Sequence, residues 1–312
     1  MTLLKQKIME AQSIAILAHK NEDGDAIGSM FAFLEVLKTM GKNADCFLSQ
    51  VPERRLEFLC GDYMLSSDKD YELCIVLDSA DIGRISDRVD IFNNASFTIA
   101  IDHHKTNTGY ANINIIKPEA SATGEILFDV FSECGFSLNK KSAMCLYAAI
   151  CSDSGGFRYQ NTTPDTMRRA ASLMEFDFDH ADVCSKLFDC QSAETIRLKG
   201  FVMNNIESYE DGKIQLVWTD EEVLKKFGVC EKEASDLVNI PRSVEGCLVA
   251  VELKKRNGEI RASFRSNADV DVSEIAGSFG GGGHAKAAGA TIDAENMNVA
   301  KQLILERLRE VI

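Results

Sequence analysis

The stretch SIAILAHKNEDGDAIGSMFAFLEVLK, residues 13–38, indicates how the first half of the chain folds. Its opening residues, 13–19, form a short continuous apolar run, which is typical of a strand buried on both faces. From Asp25 onward the apolar residues recur with helical spacing, and Gly41 stands where the C-cap of a helix is expected. A buried strand that leads directly into a helix predicts the repeating unit of a parallel α/β sheet.

The same alternation continues outward from this stretch. Further strand-like runs lie at 44–49, 73–78 and 97–102. Helix-like segments lie near 121–133, 140–151 and 163–175. The last of these opens with a threonine cap followed by a proline at the first helical position, which is a common helix start. Strands separated by helices predict an α/β domain built on a parallel sheet.

The last third of the chain has a different pattern. Asp211-Gly212 and Asn257-Gly258 each separate two strand-like runs, which is the strongest short-range signal of a β-hairpin. The runs 249–256 and 259–266 then form one antiparallel pair, and a helix from Met297 to about Val311 follows. This pattern predicts a smaller α/β domain with a mainly antiparallel sheet.

The length of 312 residues is more than one hydrophobic core usually organises, so two domains are expected. We predict a first domain at 1–190, a helical linker at 191–203 and a second domain at 204–312, with a cleft between the two domains. We expect the first domain to be catalytic and the second to bind substrate.

Composition limits the partners of the chain. The net charge is −14, and no cluster of lysine and arginine forms the basic stripe that tracks long nucleic acid. A nucleic-acid substrate should therefore be short. We expect no membrane span, no signal peptide and a cytoplasmic location, because no apolar run is long enough to cross a bilayer and ten cysteines without a C-x-x-C pair suit a reducing compartment.

Polar side chains follow three of the predicted strands where each strand ends. In parallel sheets the carboxyl ends of the strands share one edge, so these residues should meet in a single crevice. A further aspartate follows the predicted helix that ends near Cys151, and glycines after it allow close approach of the backbone. The residues are His19, Asp23, Asp25, Asp78, Asp102, His103, His104 and Asp153.

Ordinary structural roles do not explain this set. A single aspartate after a strand is usually a turn or cap residue, and a single histidine usually belongs to the core or the surface. A calcium loop beginning at Asp23 fails, because Ile27 falls on a ligand position and Leu34 replaces the bidentate glutamate. Two adjacent histidines directly after an apolar strand, however, have no evident purpose in packing.

The chemistry of the set favours divalent metal ions. Carboxylates and imidazoles without thiolate suit Mn²⁺, with Mg²⁺, Co²⁺, Fe²⁺ and Zn²⁺ as alternatives. Four carboxylates packed without metal would repel one another strongly. Two divalent ions roughly 3.5–4 Å apart would neutralise that charge, activate a bridging water and stabilise the attacking and leaving oxygens of a phosphoryl displacement.

The motifs resemble those of the DHH phosphoesterase superfamily, in order and at suitable separations over nearly the whole chain. The N-terminal motifs are His19-x-x-x-Asp23-x-Asp25-x-x-Gly28-Ser29, Leu77–Asp81, Asp102-His103-His104 and Ser152–Gly155. The C-terminal motifs are Ser263-x-Arg265-Ser266 and Gly280-Gly281-Gly282-Gly283-His284-x-x-Ala287-Ala288-Gly289, which are similar to the DHH-associated substrate domain.

The resemblance implies a role for each residue of the first domain. His19 and Asp23 would hold one metal ion, and Asp78 would bridge to a second ion held by Asp25, His103 and Asp153. His104 would contact the scissile phosphate or protonate the leaving oxygen, while Asp102 would orient His103.

The second domain would bind the substrate. Physical chemistry supports the same site independently of the resemblance. Successive backbone N–H groups of a glycine run form a concavity for an anion, and an arginine can bind a terminal phosphate with two hydrogen bonds. The residues expected to contact substrate are Arg265, Ser266, Gly282, Gly283, His284 and, less directly, Arg158.

Several branches of the superfamily do not fit. The inorganic pyrophosphatases carry a basic signature that is absent here, the single-strand exonucleases need an added oligonucleotide-binding fold, and the membrane-bound cyclic-dinucleotide phosphodiesterases need transmembrane segments. The remaining expectation is a nanoRNase-like phosphodiesterase or exoribonuclease that degrades short oligonucleotides and also removes the 3′-phosphate of adenosine 3′,5′-bisphosphate.

Two alternatives remain open. One is a compact phosphodiesterase acting on cyclic di-AMP or its linear product pApA, which no motif separates from the nanoRNases. The other is a nucleotide sensor that has lost catalysis. The oligomeric state is also open, a homodimer being one option.

Overall fold

A computed structural model describes residues 1–66, 69–234 and 237–312. The chain forms two compact units, Met1–Cys190 and Gln191–Ile312. The strands are β1 (Ile14–Ala18), β2 (Ala44–Cys46), β3 (Leu73–Leu77), β4 (Phe97–Asp102), β5 (Ile113–Ile116), β6 (Glu207–Tyr209), β7 (Ile214–Thr219), β8 (Val249–Arg256), β9 (Glu259–Ser266), β10 (Gly282–His284) and β11 (Ala287–Ile292).

The helices are α1 (Thr2–Glu10), α2 (Gly24–Thr39), α3 (Val89–Asn94), α4 (Thr123–Cys134), α5 (Lys140–Asp153), α6 (Pro164–Met174), α7 (His180–Cys184), α8 (Ala193–Asn204), α9 (Glu221–Phe227), α10 (Asn239–Arg242), α11 (Val272–Ser278) and α12 (Met297–Arg309). Short 3-10 turns at Glu57–Leu59, Ile82–Arg88 and Lys232–Ala234 and a π-helical turn at Ser185–Asp189 complete the described secondary structure.

The first unit is built on a sheet of five parallel strands in the order β2-β1-β3-β4-β5. Every residue of the central strands β1 and β3 is buried, as their continuous apolar sequences predict. The edge strand β5 was not predicted. Its four residues are half-buried or exposed, so the sequence there lacks the long apolar run that marks the inner strands.

Helices α2 and α5 pack closely because glycine stands at their contact. A Cβ atom on Gly28 would lie 2.6 Å from the carbonyl oxygen of Cys145 and 2.9 Å from the Cβ atom of Ala149. No side chain can occupy that space without moving backbone. The close contact brings the start of α2, with Asp25, to the end of α5, with Asp153, so this packing assembles part of the site.

The second unit is built on a six-stranded mixed sheet in the order β10-β11-β9-β8-β7-β6. The hairpins β6–β7 and β8–β9 form at the predicted Asp-Gly and Asn-Gly turns, and β7–β8 is the one parallel pair among the described strands of this second sheet. The fold class is therefore confirmed: a parallel α/β unit followed by a smaller α/β unit with a mainly antiparallel sheet.

Helices cover both faces of this second sheet. On one face, α11 and α12 pack over Val251, Leu253 and Phe264. On the other face, Leu198 and Val202 of α8 are buried with Val217. The segment 191–203, predicted as a linker, is thus mostly a helix that contributes to the core of the second unit.

Candidate metal centre

The candidate residues of the first unit meet at the carboxyl edge of the sheet. His19 directly follows β1, Asp78 follows β3, and Asp102 ends β4; these three strands are neighbours. Asp25 lies in the first turn of α2, and Asp153 is the last residue of α5. The chain order of these residues is scattered, but the topology places them side by side.

Asp78 lies at the middle of the cluster, and its two oxygens face different histidines. Asp78 Oδ2 lies 3.5 Å from His19 Nε2. Asp78 Oδ1 lies 3.5 Å from His103 Nε2 and 3.6 Å from His104 Nδ1. His19 Nε2 is also 3.7 Å from Asp23 Oδ2. Asp78 is therefore shared by two groups of ligands, which suits a bridging carboxylate.

The second group surrounds His103. His103 Nε2 lies 3.4 Å from Asp153 Oδ2 and 4.0 Å from Asp25 Oδ2. These separations are too long for hydrogen bonds. They approach the spacing of two atoms that each lie about 2.0–2.2 Å from one ion. Three overlapping sets could each hold a metal ion: His19, Asp23 and Asp78; Asp78, His103 and His104; and Asp25, His103 and Asp153.

The rings of His19 and His103 are turned so that Nε2 faces the carboxylates. His19 Nδ1 donates to the carbonyl of the next residue, Lys20, at 2.8 Å, and His103 Nδ1 donates to the carbonyl of Ala120 at 3.3 Å. A metal-binding imidazole usually has its other nitrogen fixed in this manner, since the second bond sets the ring orientation.

The charges of the cluster also fit a cation. Burial and the neighbouring carboxylates raise the pKa of both Asp25 and Asp153 well above the usual value. Burial alone would lower the pKa of His19, but Asp23 and Asp78 raise it to about 11. Both effects arise because several carboxylates are crowded together in a buried site. The donor set therefore fits divalent metal ions.

Asp25 is held by several hydrogen bonds, and Asp78 adopts an uncommon backbone conformation. Asp25 is fully buried, and its oxygens accept hydrogen bonds from the backbone N–H groups of Thr123 at 2.6 Å and Gly124 at 2.9 Å and from the Ser29 hydroxyl at 3.0 Å. Asp78 has a φ of +55°, a left-handed conformation that is uncommon for residues other than glycine. Backbone strain at this point marks Asp78 as a residue whose placement matters.

The expected role of Asp102 requires a correction. We expected Asp102 to orient His103, but Asp102 Oδ1 instead accepts a hydrogen bond from His104 Nδ1 at 2.7 Å. Asp102 Oδ2 accepts a second hydrogen bond, from Asn107 Nδ2, at 2.7 Å. The His103 ring turns toward Ala120 on another segment, so the buried carboxylate can reach only the following histidine. The hydrogen bond that His104 donates to Asp102 raises the pKa of His104, although burial opposes this rise.

Sequence reasoning missed three residues that support the site. Asn107 fixes Asp102, while Thr123 and Gly124 bind Asp25. Asn107 lies close enough in sequence to Asp102 to be suspected. Thr123 and Gly124 lie 98 and 99 residues from Asp25, so no local pattern connects them to it.

In the second unit, Arg265 and His284 point to the same side of the sheet. Arg265 on β9 pairs with Ala287 on β11, and Ala287 pairs with His284 on β10. Directly paired residues of antiparallel strands share a face, and two strand spacings separate the Cα atoms by roughly 10 Å. Arg265 is half-buried, and Gly282, Gly283 and His284 are exposed on an edge strand.

Two features of the second unit bear on its expected substrate contacts. Ser266 lies on the opposite face from Arg265, is buried, and uses its hydroxyl to donate to the carbonyl of Ala268; substrate contact by Ser266 stays a prediction. The glycine run is not an open loop. The N–H groups of Gly280 and Gly281 bind the carbonyls of Gly277 and Ala276 at the end of α11, and only the later glycines remain for an anion.

Arg158 lies beside the first-unit site in sequence but has local partners. Its side chain is exposed, its Nε donates to the carbonyl of Gly155 at 2.6 Å, and its guanidinium lies over the ring of Phe188. Substrate contact by Arg158 stays a prediction. Among the residues that the structure covers, no helix combines the length and apolarity needed to span a bilayer.

Four carboxylates and three imidazoles at the carboxyl edge of a parallel sheet are typical of a metal-dependent hydrolase. Residues 13–150 match the DHH family, N-terminal domain, and residues 216–310 match the DHHA1 domain. The chain belongs to the DHH phosphoesterase superfamily and carries a C-terminal DHHA1 domain, as its motifs predicted.

The similarity to known proteins covers nearly the whole chain. The bifunctional oligoribonuclease and PAP phosphatase NrnA of Thermus thermophilus is 32% identical over 301 residues, which cover 95% of this chain and 89% of that protein. The crystal structure of an exopolyphosphatase-related protein from Bacteroides fragilis has a TM-score of 0.93 and 25% identity, covering 99% of this chain and 95% of that chain. The cyclic-di-AMP phosphodiesterase GdpP of Geobacillus thermodenitrificans is 23% identical, and this chain spans 49% of its length.

Proposed function

We propose that this protein is a metal-dependent phosphodiesterase that hydrolyses short oligonucleotides and also removes the 3′-phosphate of adenosine 3′,5′-bisphosphate. The observation that carries the proposal is the cluster around Asp78, in which two ligand groups share one carboxylate. The similarity to a bifunctional oligoribonuclease and PAP phosphatase along 95% of the chain supports this choice of substrates.

We propose that His19 and Asp23 hold one divalent ion, that Asp25, His103 and Asp153 hold another, and that Asp78 contacts both. The donor set of carboxylate and imidazole favours Mn²⁺. Such ions, when bound, supply an activated water and neutralise charge on the phosphate. The protein's own part is to hold six ligand side chains in one arrangement; the hydrogen bonds described above fix three of them, His19, His103 and Asp25.

His104 would act as the proton donor to the leaving oxygen. Its Nδ1 is bound to Asp102, which leaves Nε2 for the substrate. The bond to Asp102 favours the protonated ring, and a protonated Nε2 can release its proton to the oxygen that departs from phosphorus. Asp102, fixed by Asn107, orients the ring and stabilises its charge.

The second unit would select short substrates. Arg265 can bind a terminal phosphate through two charge-assisted hydrogen bonds, and His284, on the same face, can add a further donor. The exposed backbone of Gly282 and Gly283 has no side chain to obstruct an anion. A phosphate site at these residues would favour substrates that carry a terminal phosphate. The acidic net charge of −14 would disfavour long nucleic acids.

A parallel assay tests the proposal. Purified protein with Mn²⁺ is given short RNA, pApA, cyclic di-AMP and adenosine 3′,5′-bisphosphate, with EDTA-treated protein as the control. We expect turnover of short RNA, pApA and adenosine 3′,5′-bisphosphate, and none with EDTA. Preferred turnover of cyclic di-AMP would instead assign a cyclic-dinucleotide phosphodiesterase. Binding without turnover of any substrate, including bis-p-nitrophenyl phosphate, would indicate a sensor.

A further inference from the structure

One short segment, Ala120–Gly124, contacts three of the six proposed ligands. The carbonyl of Ala120 accepts from His103, and the N–H groups of Thr123 and Gly124 bind Asp25. The Thr123 hydroxyl donates to Asp78 Oδ1 at 3.1 Å. These contacts link the segment to three ligands, of which Asp25 lies on α2 and Asp78 and His103 directly follow β3 and β4. The segment is therefore placed to set their relative positions.

The segment itself is held by hydrogen bonds to Glu125. Glu125 Oε2 accepts from the backbone N–H of Ser121 at 3.0 Å and from the Ser121 hydroxyl at 2.5 Å. The Thr166 hydroxyl also donates to Glu125 Oε2, at 3.1 Å, and Arg169 donates to Glu125 Oε1 at 2.9 Å. Because Glu125 has four donors, the loss of one should leave the segment in place.

Asp78 needs a partner that fixes its rotation. The terminal torsion of an aspartate is broad, so packing alone does not decide where the two oxygens point. A carboxylate that turns through a quarter of a rotation would direct neither oxygen at His19 or His103. Thr123 is fully buried, and its hydroxyl binds the same Oδ1 that lies 3.5 Å from His103 Nε2.

Building on the proposed function, we propose that Thr123 is a positioning residue, whose hydroxyl orients the Asp78 carboxylate so that each oxygen faces one metal site. One lone pair of Oδ1 accepts the hydroxyl proton, and the other stays directed at the histidine side. Partners that orient a ligand in this manner typically change metal affinity or activity 10–100-fold when removed.

The test compares variants of Thr123 with a matched control. Thr123→Val removes the hydroxyl with little change of shape, and Thr123→Ser restores it. Thr166→Val is the control, because Thr166 is also fully buried and also donates to a carboxylate oxygen at 3.1 Å, but that carboxylate is Glu125. Each protein is stripped of metal, titrated with Mn²⁺ in a calorimeter and unfolded in urea; kcat and KM are measured against Mn²⁺ concentration.

We expect Thr123→Val to weaken Mn²⁺ binding and to raise the Mn²⁺ concentration for half-maximal activity, each by about 10–100-fold. Thr123→Ser and Thr166→Val should bind Mn²⁺ as the wild type does, and KM at saturating Mn²⁺ should not change in any variant. Should Thr123→Val unfold, Thr123→Ala removes the hydroxyl without adding bulk and is subject to the same expectation.

Wild-type affinity in both Thr123→Val and Thr123→Ala would overturn the inference, as would an equal loss in Thr166→Val, which would show a general effect of destabilisation. The proposed function fails separately. If the wild type binds Mn²⁺ but hydrolyses none of the phosphate esters, the substrate assignment is wrong while the role of Thr123 in binding is still decided by calorimetry. A wild type that binds no Mn²⁺ overturns both.

Discussion

Because of Glu252, we expect the free energy of unfolding of the second unit to fall as the pH rises. Its side chain is fully buried on β8, and neither oxygen accepts a well-formed hydrogen bond among the described residues. Lys254 Nζ lies 3.3 Å from one oxygen. Burial raises the pKa of Glu252 from 4.5 to about 7, although Lys254 and Arg256 oppose that rise. Replacement by glutamine keeps the shape and removes the titration.

The sign and size of this pH effect follow from the pKa of Glu252 in the unfolded chain, 4.5, and in the folded chain, about 7. At low pH the carboxyl is protonated in both folded and unfolded chains, so it has no effect. Between pH 4.5 and about 7 only the folded chain keeps the proton, and stability falls by about 1.4 kcal/mol for each pH unit. The wild type should lose about 3 kcal/mol across this interval relative to Glu252→Gln, with little further change above it.

The chain offers a local probe for this measurement. Trp218 is the single tryptophan and lies on β7, paired with Leu253 of β8, so its fluorescence reports unfolding of the second unit. Urea unfolding of the wild type and of Glu252→Gln at a series of pH values gives the difference in free energy directly. Parallel curves for the two proteins would refute the reasoning, and a wild type more stable than the variant at pH 8 would show that the Lys254 ion pair outweighs burial.

Three further predictions concern catalysis. Asp78→Asn should lower kcat with Mn²⁺ by more than about 100-fold, because loss of a metal ligand should cost more activity than loss of a residue that only supports a ligand. The circular dichroism spectrum should stay unchanged. Full activity would exclude Asp78 as a ligand. Arg265→Ala should raise KM for substrates with a terminal phosphate by about tenfold, whereas Arg261→Ala, on the same strand and paired with Glu259, should not. Asp102→Asn should lower the pKa of His104, so the alkaline limb of the rate profile should move to lower pH; an unmoved limb would remove His104 as the acid.

Much of the fold and the core of the site could be predicted, because both follow from local patterns. Continuous apolar runs gave the inner strands of the parallel sheet, and the rule that ligands gather at the carboxyl ends of strands brought His19 and Asp78 together. The hairpins of the second unit followed from Asp-Gly and Asn-Gly turns. In each case a few neighbouring residues carry the whole signal.

The rest depends on contacts between distant segments. Thr123 reaches Asp25 across 98 residues, and no pattern in either segment reveals that bond. The partner of Asp102 is decided by how the ring of His103 turns toward Ala120. Gly281 gives another contact between separate segments: a Cβ atom there would lie 2.2 Å from the carbonyl oxygen of Gly289, so the close packing of these segments requires glycine.

Anomalous diffraction from crystals grown with Mn²⁺ tests the central claim most directly, because it locates the ions without reference to substrate. The proposal predicts two Mn²⁺ peaks at the carboxyl edge of the first sheet, with Asp78 in contact with both. A single peak, or peaks that do not contact Asp78, would contradict it. The remaining expected ligands are His19 and Asp23 for one ion and Asp25, His103 and Asp153 for the other.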